Sequence, residues 1–253
     1  NTDNMSILGL TIDYGPYGWV EDYDPDWTPN TTDAEGRRYR FRNQPDIALW
    51  NLVQLGNALY PLIEDIAPME EVLNSYSKQF DSQFPIMQQQ KLGLQSEYDA
   101  HFQDELITLL TASETDMTIF YRNLANVVKT DTSDEALAKI ALAFYQPDKI
   151  VTTLQTSWLN WMELYLEKIK AEVLSDEERK QAMNTINPKY VLRNYMAQLA
   201  IEAAEKEDYS IIDELYTLLK NPYDEQPQYE KWFAKRPDWA RHKVGCSMLS
   251  CSS

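Results

Sequence analysis

Carboxylate and amide side chains lie close together at the start of the 253-residue sequence, on both sides of a short apolar run. Asp3 and Asn4 precede the run Ile-Leu-Gly-Leu-Thr-Ile, and Asp13 follows it within the triplet Asp-Tyr-Gly. Oxygen ligands without a neighbouring His or Cys suit a hard cation such as Mg²⁺, which also binds phosphate oxygens. A polar turn, a β-branched run and a second acidic turn are typical of a hairpin. The sequence therefore predicts a short β-hairpin that carries a magnesium and phosphate site.

The same residue types serve phosphoryl transfer in kinases. There, an Asp of the catalytic loop receives the attacking hydroxyl, an Asn of that loop binds metal, and the Asp of an Asp-Phe-Gly triplet binds metal that bridges the phosphates. Two features differ here, because Asp3 and Asn4 are adjacent rather than separated by four residues, and no His-Arg pair precedes Asp3. The pattern indicates nucleotide phosphate chemistry and leaves the transferred group open.

Longer stretches resemble the selenoprotein O (SelO) family, whose members are described as pseudokinases that act as protein adenylyltransferases. The resemblance extends over nearly the whole chain and is least distinctive from about residue 70 to 180. It is carried by Asn-Thr-Asp-Asn-Met-Ser-Ile at residues 1–7, by Gly-Leu-Thr-Ile-Asp-Tyr-Gly-Pro at 9–16, and by residues 22–25, 29–33, 36–39, 43–45, 50–51, 187–194 and 251–253.

The resemblance implies a kinase-like fold that holds ATP flipped relative to kinases and transfers AMP, rather than the γ-phosphate, to Ser, Thr or Tyr hydroxyls of proteins. It also implies that Asp3 accepts the proton, that Asn4 binds Mg²⁺, and that Asp13 binds both Mg²⁺ and ATP. The cofactor would be Mg²⁺ or Mn²⁺, with ATP as substrate and hydroxyl-bearing proteins as partners. Ordinary phosphorylation and a catalytically dead pseudokinase scaffold are the alternatives. Family members occur in bacterial cytoplasm and in mitochondria, so the compartment depends on the source.

A kinase-like fold needs a nucleotide lobe with a glycine-rich loop, a strand Lys and the Glu that pairs with it. The sequence has only 7 glycines, and it starts without Met inside the phosphate motif. We therefore interpret it as the C-terminal part of a longer protein whose intact form is the nucleotidyltransferase. This part alone is expected to be inactive.

Composition limits the classes of partner. Hydrophobic residues at 43% and charged residues at 25% are ordinary for a soluble globular protein. A net charge of −17 argues against general binding to nucleic acid or to an anionic membrane. No apolar run approaches the roughly 18 residues that a spanning helix needs, and no signal peptide opens the chain.

We predict a mainly α fold, the C-terminal lobe of a protein-kinase-like fold, in which the hairpin is followed by a helical bundle. Residues 1–45 would hold the catalytic loop, the metal motif and the activation segment. Residues 46–240 would form the helical lobe with a family-specific helical extension, and residues 241–253 a flexible tail. Four Arg side chains of the activation segment either pair with nearby Asp residues or contact a nucleotide phosphate or an acidic substrate segment. They are Arg37, Arg38, Arg40 and Arg42.

Apolar residues at helical spacing predict a series of helices beyond residue 45. The first, residues 46–63, has a broad apolar face and is expected to be the central buried helix under the active site. Capping boxes open later helices at Thr132 and Ser175, and a weaker version opens another at Ser113. The other predicted helices begin or extend at residues 69–84, 96–110, 155–173, 190–205 and 210–219.

Three further groups of residues carry alternatives. The Trp and Tyr residues within 155–173 are expected to be core rather than a ligand site. Arg193 either forms a buried ion pair or braces the activation segment. Cys246 and Cys251 are either unpaired exposed thiols of the tail or groups with a redox or regulatory role. The resemblance favours the second reading, because the family has selenocysteine or Cys third from the end, where Cys251 stands.

Overall fold

The computed structural model describes residues 2–10, 21–28, 35–243 and 246, and its secondary structure is almost entirely helical. The one β-pairing in this part of the chain is an isolated bridge between Thr115 and Phe144. The mainly α prediction is confirmed. The helices are α1 (Gln44–Ile63), α2 (Ala67–Leu92), α3 (Ala100–Ala112), α4 (Met117–Leu124), α5 (Ser133–Ile140), the single turn α6 (Pro147–Lys149), α7 (Gln155–Ala171), α8 (Asp176–Ile186), α9 (Asn194–Ala204) and α10 (Ser210–Leu219).

Side-chain caps fix where several of these helices begin. Thr132 and Ser175 each form a complete capping box, as the sequence predicts, and open α5 and α8. Asp99 caps α3 by accepting a hydrogen bond from the backbone N–H of Phe102. These caps satisfy N–H groups that the first helical turn leaves without a partner.

Three predicted helix starts are wrong. The helix expected from residue 96 begins at Ala100. Ser113 ends α3 instead of opening the next helix, and the cap of α4 is Asp116, whose carboxylate accepts from the N–H of Ile119. The helix expected from residue 190 begins at Asn194. Residues 187–193 are not helical, because Asn187 precedes Pro188 and ends α8, and the N–H groups of Lys189 and Tyr190 both donate to the carbonyl of Pro222.

The main core surrounds α7. Its Trp and Tyr side chains are fully buried and stack with rings from other helices, so the prediction that they are core is confirmed. Trp161 lies parallel to Phe102 of α3 with 4.8 Å between ring centroids, and parallel to Tyr165 at 5.4 Å. The polar atoms of these rings are also satisfied, since the Trp158 indole donates to the Ser113 hydroxyl at 2.8 Å.

A second, smaller core packs α9 and α10 against the segment that follows them. It contains Tyr190, Leu218, Trp232, Ala240 and Cys246.

Arg122 of α4 joins the two cores. This buried guanidinium donates to the carbonyls of Asn184, Asn187 and Tyr223 and to the carboxylate of Glu225. One side chain thereby connects the end of α8 to the loop after α10, and it fixes how the second core sits on the first.

The helix pair α1–α2 is mostly exposed. Within α1 only Asn51 is buried, and within α2 only Leu92 is buried. The existence of α1 is confirmed, but its predicted place as the central buried helix is wrong for the described part of the chain. The reason is that α1 packs on α2 and on short 3₁₀ turns, whereas the core forms around α7.

Residues 2–10, the described part of the predicted hairpin, contain no strand. Residues Thr2–Asn4 form a 3₁₀ turn, and a second turn follows in which the N–H of Gly9 donates to the carbonyl of Ser6. The φ of +67° at Gly9 suits a residue without Cβ. Residues 11–20 lie outside the described residues, so the rest of the hairpin and the kinase-like lobe stay predictions. No helix in the described part of the chain is long and apolar enough to cross a bilayer.

Candidate active site

The 3₁₀ turn at the amino terminus presents Asp3 to solvent. Three residues make up this turn, and Asp3 is its middle residue. Asn4 belongs to the same turn, and Asp13 lies among residues 11–20, outside the described residues. An accessible carboxylate at residue 3 is compatible with a group that must reach an incoming hydroxyl, whereas the predicted convergence of Asn4 and Asp13 on a cation stays a prediction.

A cavity adjoins this turn. Residues on either side of Asp3 line one wall, and α1 lines the other, around a volume of about 310 Å³. Apolar side chains contribute most of the lining, while Asn51 of α1 supplies a buried amide. The turn is thus held against α1 by its flanking residues. The lining residues are Thr2, Met5, Ser6, Ile7, Asn51, Leu52, Gln54, Leu55 and Ala58.

The donor set of the predicted metal site consists of oxygen atoms. No His or Cys occurs among residues 1–45, so neither a thiolate nor an imidazole can compete for the cation there. Carboxylate and amide oxygens fit Mg²⁺ or Mn²⁺ better than zinc. Elsewhere in the part of the chain that the structure describes, no group of three His, Cys, Asp or Glu side chains could hold a metal ion.

Two of the four Arg side chains in residues 37–42 form ion pairs with a nearby Asp, which is one of the two predicted alternatives. Arg40 and Arg42 both contact the Asp26 carboxylate, at 3.4 and 2.7 Å. Arg38 instead lies over the ring of Trp50, 4.2 Å from its centroid, where the cation meets the π face. These contacts fasten residues 35–43 to the segment around Asp26 and to α1.

Arg193 forms the buried ion pair that the sequence predicts. Its guanidinium binds the Asp116 carboxylate through two hydrogen bonds of 2.6 and 2.9 Å, and both side chains are almost completely buried. Although burial works against its charge, the Asp116 carboxylate raises the pKa of Arg193. The same carboxylate caps α4 and accepts a longer hydrogen bond from the Tyr145 hydroxyl at 3.4 Å. The pair therefore fixes the start of α4 against the start of α9.

A second ion pair beside it holds the acidic segment that follows the metal motif. Arg236 contacts the carboxylates of Glu21 at 3.0 Å and Asp22 at 3.2 Å, and its backbone N–H donates to the Tyr145 hydroxyl. The N–H of Tyr23 donates to the carbonyl of Thr115 at 2.8 Å. Residues 21–23 are therefore anchored to both cores.

Glu21 is an acid with a strongly raised pKa. Its side chain is 1% exposed, and burial raises its pKa to about 7, an effect that Arg236 only partly offsets. Sequence reasoning missed both Glu21 and Arg236. The two residues are too far apart in the chain to belong to one motif. In the sequence, Glu21 is one of several acidic residues in the segment 21–26, and nothing local distinguishes it from the others.

Cys246 is a buried free thiol, and its predicted place as an exposed thiol of the tail is wrong. It is 1% exposed in the second core, and its carbonyl accepts a hydrogen bond from the Asn194 side chain at 3.0 Å. Burial raises the pKa of this thiol, which disfavours the reactive thiolate. Cys251 lies outside the described residues, so a redox role for it stays a prediction.

Comparison with known proteins identifies close relatives. A family model described as "Protein adenylyltransferase SelO" matches residues 1–220. Proteins described as "Protein nucleotidyltransferase YdiU" match along the whole chain, with 60% identity in Flavobacterium johnsoniae, 51% in Rhodopirellula baltica and 49% in Aromatoleum aromaticum. The match covers 49%, 49% and 48% of these relatives, so the chain spans about half the length of the curated relatives it matches.

Proposed function

The chain belongs to the SelO family of protein adenylyltransferases, and from this premise we propose that it supplies the catalytic segment of an enzyme that transfers AMP from ATP to Ser, Thr or Tyr hydroxyls of proteins. The observation that carries the proposal is the pairing of Asp3-Asn4 with Asp13-Tyr14-Gly15 inside the stretch that the family model matches. The exposed position of Asp3 supports it, because a substrate hydroxyl must reach this carboxylate. Since the relatives above are bacterial, the cytoplasm is the compartment we propose.

In the proposed reaction, the hydroxyl oxygen of the protein substrate bonds to the α-phosphorus of ATP, and the bond from that phosphorus to the bridging oxygen of pyrophosphate breaks. Asp3 accepts the hydroxyl proton. A carboxylate is a weak base, so Asp3 acts mainly by orienting the hydroxyl toward the phosphorus.

Asn4 and Asp13 would hold Mg²⁺ or Mn²⁺ in this proposal. The ion would neutralise the charge of the phosphate oxygens and of the departing pyrophosphate. The all-oxygen donor set of residues 1–45 supports this choice of metal over zinc. In the sequence, Asn4 and Asp13 lie on either side of one short apolar run.

The test uses a full-length enzyme in which residues 1–253 replace the matched region of the Flavobacterium johnsoniae relative, because the relatives are about twice as long as this chain. Incubation with ATP labelled at the α-phosphate is expected to label protein. Asp13→Ala and Asp3→Asn should each lower this labelling by about two orders of magnitude or more, as the loss of one electrostatic group at a transition state does. Asp134→Asn, in the exposed first turn of α5, is the matched control and should label like the parent.

The outcomes separate the possible activities. Undiminished labelling in Asp13→Ala would reject the assignment of that residue. Labelling from the γ-phosphate alone would identify phosphorylation instead, and nucleotide binding without transfer of either label would identify a scaffold.

A further inference from the structure

Large apolar side chains of α1 and α2 stand in solvent. Leu62 is 81% exposed, Val72 is 68% exposed and Ile66, between the helices, is 57% exposed. Leu59 and Ile63 of α1 are also partly exposed, at 39% and 47%. Isolated exposed apolar residues are common, but several that line one apolar cavity on a helix pair are typical of an interface.

The patch contains a groove rather than a flat surface. A cavity of about 330 Å³ lies between α1 and the start of α2, and its lining is almost wholly apolar. It shares Leu52 and Leu55 with the 310 Å³ cavity beside the amino-terminal turn. The two cavities are therefore neighbours on α1. We call them together the α1 groove, which extends from the turn that carries Asp3 to the beginning of α2.

The far end of the α1 groove is acidic. Exposed carboxylates of Glu64, Asp65, Glu70 and Glu71 flank the connection from α1 to α2, next to the groove-lining residues Ile63 and Pro68. The ion pairs found among the described residues involve none of these four carboxylates. A segment that fills this groove would thus need an apolar face with basic residues at one end.

The length of the relatives points to the occupant. The matched region is 49% of the Flavobacterium johnsoniae protein, so these chains contain about as much sequence again outside it. We propose that the α1 groove is the surface on which this other half of the longer SelO-family chains docks, through the apolar face of an amphipathic helix whose basic end meets Glu64 to Glu71. The docked helix would border Asp3, because the groove ends at that turn.

Cysteine accessibility tests the proposal. Leu59→Cys and Val72→Cys, at two positions that line the groove, are made in this chain, and cysteines are placed at the aligned positions of the full-length Flavobacterium johnsoniae relative. The rate of alkylation by iodoacetamide is measured at each site by peptide mass spectrometry. In the full-length relative, the alkylation rate at both sites should be at least about tenfold lower than in this chain, because a buried position reacts only when the interface opens. The control is position 173, where Val173 is 94% exposed and lies away from the groove; its cysteine should react equally in both proteins.

Equal rates at positions 59 and 72 in the two proteins would overturn the proposal. Slow alkylation in the 253-residue chain itself, with a sedimentation coefficient that rises with concentration, would also overturn it, since a second copy would then be the occupant. The alkylation experiment is done without ATP, and the proposal rests on family membership and surface geometry. The alkylation rates therefore do not depend on whether AMP transfer is found.

Discussion

Two helices of this protein both have apolar residues at helical spacing, but their surroundings are opposite. Helix α7 and helix α1 both carry Trp, Leu and other apolar residues at helical spacing. In α7 these residues are buried among α3, α4 and α5, whereas in α1 they border a groove open to solvent. Helical periodicity identifies an apolar face, but it does not identify what covers that face.

The two regions also differ in how their helices begin. The helices α3, α4, α5 and α8 around the core have side-chain caps, whereas α1, α2 and the central helix α7 have none. The first turns of α1 and α2 instead contain Pro, which removes one N–H that would otherwise need a partner. Local caps therefore help to place the helices around α7, whereas α1 depends on its packing against α2, which in turn packs on α8.

The largest expected contrast comes from one substitution made in both regions. Leu110→Ala in α3 removes a fully buried side chain and should lower the free energy of unfolding by about 2–5 kcal/mol. Leu62→Ala in α1, where the side chain is 81% exposed, should change it by less than about 0.5 kcal/mol. Urea denaturation followed by circular dichroism measures both. Equal losses would show that α1 is as buried as the core.

A pH-dependent effect should come from the anchor of residues 21–23. The pKa of Glu21 is raised from 4.5 to about 7, so between these values the folded protein keeps a proton that the unfolded chain has lost. The free energy of unfolding therefore falls as pH rises through this window, by at most about 1.4 kcal/mol per pH unit from this group.

Glu21→Gln removes the titrating group and should flatten this part of the stability profile. The variant and the parent are compared by urea denaturation at about pH 5, 6 and 7, where the raised pKa of Glu21 makes the free energy of unfolding depend on pH. An unchanged slope would mean that Glu21 is ionised throughout, as a dominant ion pair with Arg236 would require.

Two glycines give expected effects of opposite sign. Gly93 ends α2 with a φ of +69°, and a Cβ there would lie 2.6 Å from the sulfur of Met183 in α8. Gly93→Ala should therefore destabilise the protein by about 1–3 kcal/mol. Gly56 lies inside α1, where the nearest atom to an added Cβ is Leu73 Cδ1 at 4.0 Å. Gly56→Ala should stabilise by about 0.5–1 kcal/mol because Ala favours the helix. Thermal unfolding of both variants checks the opposite signs.

Local sequence determined the features whose cause is local. The capping boxes at Thr132 and Ser175 predict helix starts that the structure confirms, because each box closes within four residues. The bounds of α10 were predictable for a similar reason, since Pro222 follows it closely. The predicted site residues Asp3, Asn4 and Asp13 also come from one short stretch, and the family match includes it.

Tertiary structure decided the rest. The sequence indicates an ion pair for Arg193, but only the fold selects Asp116 as its partner and places Glu21 beside Arg236. It also decided that Cys246 is buried and that α1 is exposed. Caps and periodicity arise from residues a few positions apart, so the chain itself records them. Burial and charge pairing depend on which distant segments meet, and this is set by the packing of the whole molecule.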